Sequence, residues 1–141
     1  MRKNLLSLIL GAAAVLALAA PAPCAEPIRI GAFFALSGPA APIGTPTKLV
    51  AQMAVDQINK SGGINGRPLE LVVADTESEP TKAVLAFTKF VNVDKVVAVI
   101  GPTRTDTGMA VKKLVEESKV PTIMTVGGDP VIMEGKLGNM D

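Results

Sequence analysis

Apolar positions in this chain follow two periods that alternate along it. Residues 28 to 36 (Ile-Arg-Ile-Gly-Ala-Phe-Phe-Ala-Leu) form an apolar run that stops at the turn signal Ser37-Gly38-Pro39, and so predict a buried strand. From Thr47 to Lys60 the period lengthens. Leu49, Val50, Met53, Ala54 and Ile58 recur at helical spacing, with Lys48, Gln52, Asp56 and Asn59 on other faces. Pro46 suits the start of that helix, where its missing N–H would be unpaired in any case. Ser61-Gly62-Gly63 ends it, glycine supplying a left-handed cap. After the tight-turn pair Asn65-Gly66, Leu69 to Ala74 reads as a second strand that closes at Asp75. Glu79-Pro80-Thr81 opens a second helix with Val84, Phe87 and Val91 on one face, and Val96 to Ile100 is a β-branched third strand. Thr105 or Asp106 caps a third helix running to Ser118, its inner face Val111, Leu114 and Val115. Val120 to Thr125 is a fourth strand with Val126 to Pro130 as its loop. The tail from Val131 to Asp141 has no clear period.

Strands that alternate with helices in this way predict an α/β fold: an open parallel sheet with helices on both faces and right-handed crossovers. Such sheets hold ligands beyond the carboxyl ends of their strands. Here those ends are Leu36 to Pro39, Asp75 to Glu77, Gly101 to Asp106 and Thr125 to Asp129. Candidate contacts follow from side-chain chemistry. Ser37, Thr103, Thr105 and Thr125 offer hydroxyls. Arg104 can pair a carboxylate in bidentate fashion, and Asp129 can meet an ammonium. Gly127 and Gly128 expose backbone, and the N-terminus of the third helix suits an anionic group. Each of these is also an ordinary turn residue, so only the convergence of several loops at one edge marks a site. Asp75 reads as a turn or capping residue rather than an acid catalyst.

Composition narrows the chemistry. The 141 residues include no His, no Trp, no Tyr and one Cys, which excludes an imidazole base, a catalytic triad, an intrachain disulfide and a Cys₂His₂ zinc site. A net charge of +1 gives no footprint for nucleic acid. Glycines 31, 38 and 44 are too widely spaced for a dinucleotide fingerprint, so no cofactor is expected. An exported enzyme using Asp75 or Asp106 as nucleophile lacks an evident acid/base partner.

The first 25 residues stand apart. Met1-Arg2-Lys3-Asn4 is a basic start, Leu5 to Ala20 is almost wholly apolar, and Pro21-Ala22-Pro23-Cys24-Ala25 is small and proline-broken. This is the layout of a secretory signal peptide, and the apolar run is short of the roughly 20 residues a bilayer core needs. Cleavage after Ala25 leaves residues 26–141, with 12 basic residues against 13 acidic, no cysteine and no run long enough to span a membrane. The expected location is the periplasm. Lipid attachment at Cys24 is the lesser alternative.

Specific segments then match a known family. Ile28-Arg29-Ile30-Gly31 with Leu36-Ser37-Gly38-Pro39, the stretch Ile58-Asn59-Lys60-Ser61-Gly62-Gly63-Ile64-Asn65-Gly66-Arg67-Pro68-Leu69, Val99-Ile100-Gly101-Pro102 and Val120-Pro121 stand in order and at family spacing. The chain resembles the periplasmic substrate-binding proteins of branched-chain amino acid ABC transporters. The resemblance implies a type I periplasmic binding fold, in which two α/β lobes close on a small solute that is passed to a transporter permease. It also implies first-lobe ligand contacts at Thr105, at the backbone of Gly127 and Gly128, and at Asp129. Leucine-type members tend to carry a small or hydroxyl residue near Asp129 and an aromatic near Ile43. The acid and the aliphatic found here widen the implied ligand to another amino acid, an amide or an aromatic acid. Residues 26–141 then correspond to an N-terminal lobe without its second lobe, expected to bind solute weakly or not at all by itself. A ligand-sensing receptor ectodomain of the same fold is the alternative.

Overall fold

The computed structural model describes residues 26–128. The proposed leader with Cys24, the candidate Asp129 and the tail lie outside the described residues. Four strands, β1 (Ile28–Phe34), β2 (Leu69–Asp75), β3 (Ala98–Ile100) and β4 (Thr122–Ile123), form one parallel sheet in the order β2-β1-β3-β4. The helices between them are α1 (Ala41–Lys60), α2 (Pro80–Lys89) and α3 (Thr105–Ser118). From β1 the chain moves to one side for β2, then crosses over β1 to reach β3 and continues outward to β4. Right-handed crossovers therefore place α1 on one face, and α2 with α3 on the other. The α/β architecture agrees with the sequence pattern.

Strand alternation explains where the core lies. Phe33 and Val99 point to the α2–α3 face and join Ala83, Phe87, Phe90, Val96 and Val111 in one buried cluster. The Phe33 ring meets Phe90 edge-on at 5.9 Å and Phe87 at 6.2 Å. Phe90 gets there through a feature the helical period did not reveal. After Lys89 the chain widens into a π-helical turn, Phe90–Asp94, that ends at left-handed Lys95. The Phe90 ring then fills the space where Gly31 has no Cβ.

Three expectations from the sequence are corrected. Helix α1 begins at Ala41 rather than Thr47, so Pro42 and Pro46 both lie within its first two turns. The apolar set Leu49, Val50 and Met53 faces solvent at 56%, 66% and 69% exposure, while Gly44 and Val55 face the sheet. The reason is steric. Gly44 sits so close to the Ala35 backbone that any Cβ would overlap its carbonyl, which turns that side of α1 inward. Strands β3 and β4 are also shorter than the apolar runs that predict them. At β4 the ladder begins with the Pro121 carbonyl accepting from Val99 N–H, since Pro121 has no N–H to donate. Among the described residues no helix is long and apolar enough to cross a membrane.

Candidate functional site

The strand order reverses between β1 and β3, and ligands of open parallel sheets bind beyond the carboxyl ends of the strands at such a switch point. The loops there are tied together by side chains. Thr103 Oγ1 accepts from Ala35 N–H at 3.1 Å, joining the β3 loop to the end of β1. Thr125 Oγ1 donates to the Pro102 carbonyl at 2.8 Å, joining the β4 loop to the β3 loop. Gly101 lies against the Phe33 carbonyl with φ +114, a conformation and a clearance that only glycine supplies. The edge is thus a connected rim rather than a set of free loops.

Two of the predicted site segments meet. Gly128 packs directly on the Thr105 side chain, so closely that a Cβ on Gly128 would overlap Thr105 Cγ2. Gly127 is exposed beside it, with open space where a side chain would project. The start of α3 and the β4 loop therefore form one surface of small residues, hydroxyl and backbone. An open hollow next to it is lined by Thr103, Arg104, Thr105 and Asp106.

The charged residues there are already paired. Arg104 Nε donates to Asp106 Oδ1 at 2.9 Å and Arg104 Nη2 to Asp106 Oδ2 at 2.6 Å. The guanidinium that sequence reasoning offers to a solute carboxylate is thus held by its own neighbour. This pairing holds the Asp106 carboxyl below the usual carboxylate range, against a smaller opposing effect of burial, and Thr107 N–H adds to it. It also raises Arg104. Neither Thr105 nor Asp106 caps α3. Arg104 is the N-cap residue, and Thr107 Oγ1 donates back to its carbonyl at 2.8 Å. With Asp106 in the first turn, the positive end of the helix is partly neutralised from within.

Ser37 stands on the other side of the switch point. Its hydroxyl donates to Asp75 Oδ2 at 2.7 Å, so that proton is committed inside the protein. The sequence places Asp75 as a turn or capping residue, and that is its role. Burial alone would raise its carboxyl, but hydrogen bonds from the Ser37 hydroxyl and from the backbone N–H groups of Glu77, Leu36 and Ser37 together bring it below the ordinary value. Ser78 was not singled out by sequence reasoning. Its only signal is its place three residues after Asp75 in the same turn.

A model of the periplasmic binding protein family matches residues 27–139. The chain belongs to the periplasmic binding protein family. Among curated relatives, the Leu/Ile/Val-binding protein BraC3 of Rhizobium johnstonii is 36% identical over 113 residues, covering 80% of this chain and 30% of the relative. The leucine-, isoleucine-, valine-, threonine- and alanine-binding protein of Pseudomonas aeruginosa is 38% identical over 96 residues, 68% of this chain and 26% of the relative. Among solved structures, the branched-chain amino acid transporter substrate-binding protein LivJ of Streptococcus pneumoniae, in complex with isoleucine, superposes with a TM-score of 0.72 at 37% identity. It covers 74% of this chain, and 30% of LivJ is matched. The chain thus spans about 30% of the length of these family members.

Proposed function

We propose that this chain is the first lobe of an extracytoplasmic solute-binding protein that serves an ABC importer and takes up an amino acid or a related small carboxylate or amide. In this reading residues 1–25 direct export to the periplasm and are removed after Ala25. Residues 26–141 supply one wall of the solute cleft, and a transporter permease receives the solute. The observation that carries the reading is the meeting of Gly128 with Thr105 at the carboxyl edge of the sheet. It joins hydroxyl, exposed backbone and a helix start on one surface, which is the donor set a carboxylate or amide needs. The relatives' names support an amino-acid ligand.

The contacts assigned to solute are Thr105, the backbone of Gly127 and Gly128, and Asp129 toward an ammonium group. Arg104 takes part by holding Asp106, and Ser37 by shaping the opposite rim. Calorimetric titration of the purified chain with L-leucine, L-isoleucine and L-valine tests the reading. One cleft wall gives saturable heats in roughly the millimolar range, far weaker than a closed two-lobed site. Heats no larger than buffer dilution for these three, for the other standard amino acids and for their amides, at roughly tens of millimolar ligand, contradict it.

A further inference from the structure

The loop Leu36–Ala40 between β1 and α1 borders the switch point, yet it is shaped almost entirely by the turn after β2. Asp75 Oδ1 accepts from the backbone N–H groups of Leu36 at 2.9 Å, Ser37 at 3.2 Å and Glu77 at 2.7 Å, while Oδ2 accepts from the Ser37 hydroxyl. Ser78, only 7% exposed, completes the attachment. Its Oγ donates to the Ser37 carbonyl at 3.0 Å and accepts from Ala40 N–H at 3.1 Å, at the residue that opens α1. Gly38, at φ +75, lies against the Glu77 carbonyl and the Ser78 side chain with no room for a Cβ.

This turn is held in an unfavourable shape. Glu77 and Ser78 both have left-handed backbone, at φ 51 and 61, which consecutive non-glycine residues seldom adopt. Strain of this kind persists only where surrounding contacts enforce it, and it gathers where a site has to be preformed. The turn's own bonds, from Glu77 N–H to Asp75 and from Glu79 N–H to the Thr76 carbonyl, close it, and the side chains of Asp75 and Ser78 tie it to the β1–α1 loop. We propose that the Asp75–Ser78 turn is a clasp for the solute site, with Asp75 as a positioning residue that fixes the Leu36–Ala40 loop without touching solute. This role rests on the solute-binding reading above.

Amide hydrogen exchange on the ¹⁵N-labelled chain at pH 7, followed by titration with L-leucine, tests it. In Asp75→Ala the amides of Leu36, Ser37 and Glu77 exchange about tenfold faster or more, relative to Gly31 and Ala32 in the centre of β1. The leucine dissociation constant rises about threefold to tenfold. Asp75→Asn, whose Oδ1 still accepts amide protons, shows both changes only in small part. Unchanged exchange at the three amides overturns the proposal, and so does a uniform acceleration through β1, which marks a contribution to overall stability alone. If Asp75→Ala does not fold, Asp75→Asn decides: a smaller acceleration confined to the same amides upholds the clasp, and none refutes it. Leucine binding untouched by a loosened loop defeats the positioning role alone. Absence of binding to the unaltered chain by leucine and by the other standard amino acids and their amides defeats the solute reading and this role with it.

Discussion

At the residue scale, two carboxylates carry the acid response. Asp75 and Asp106 both titrate below the ordinary carboxylate range in the folded chain. The unfolded chain therefore binds more protons as pH falls through about 4, the region where free aspartates titrate. Their stabilisation is complete above that range and is lost as pH drops toward the depressed folded values. Urea midpoints measured from neutral pH downward should fall more gently on the acid side in Asp75→Asn than in the unaltered chain. Identical acid limbs would remove Asp75 from the account. Gly44 carries a steric constraint instead. Gly44→Ala drives a methyl into the Ala35 carbonyl, and the expected loss is about 1–3 kcal/mol in chemical unfolding. A neutral result would mean that α1 does not sit this close to β1.

At the element scale, the strength of each signal followed the physics behind it. Strands β1 and β2, and helices α2 and α3, were legible because their apolar residues are buried against a sheet or each other. The inner face of α1 was not. Three of its apolar residues, Leu49, Val50 and Met53, point outward, and the sheet-facing side is set by Gly44, whose lack of a side chain leaves no mark in a hydrophobic period. Met53→Lys on the exposed face should change stability by no more than about 0.5 kcal/mol. A loss of several kcal/mol would return Met53 to the core, as the periodicity alone suggests. The π-helical turn leaves no mark in the helical period for a related reason. One extra residue in a turn shifts the period, and only the space beside Gly31 tells where Phe90 goes. Phe33→Ala, at the centre of the aromatic cluster, should cost about 3–5 kcal/mol by the same unfolding measurement.

At the scale of the whole molecule, the edge that carries the candidate residues was legible in the sequence and its wiring was not. The order of strands and helices points to the carboxyl edge, where Thr105, Gly127 and Gly128 lie, but the contact between Thr105 and Gly128 leaves no mark in the sequence. Pairing between neighbours was beyond the sequence. Arg104 and Asp106 lie two residues apart, and whether they meet depends on the extended backbone of Arg104 at the start of α3. The same holds for Ser37 and Asp75, which are 38 residues apart and brought together by the parallel pairing of β1 with β2. Family membership follows from the match over residues 27–139, and the proposed function turns on whether the carboxyl edge of the sheet engages solute. Amide chemical-shift mapping of the ¹⁵N-labelled chain with L-leucine tests that most directly. The account predicts saturable shifts centred on Thr105, Gly127 and Gly128, with the outer face of α1 silent. Shifts absent from those three residues at millimolar leucine, or centred elsewhere, would contradict it.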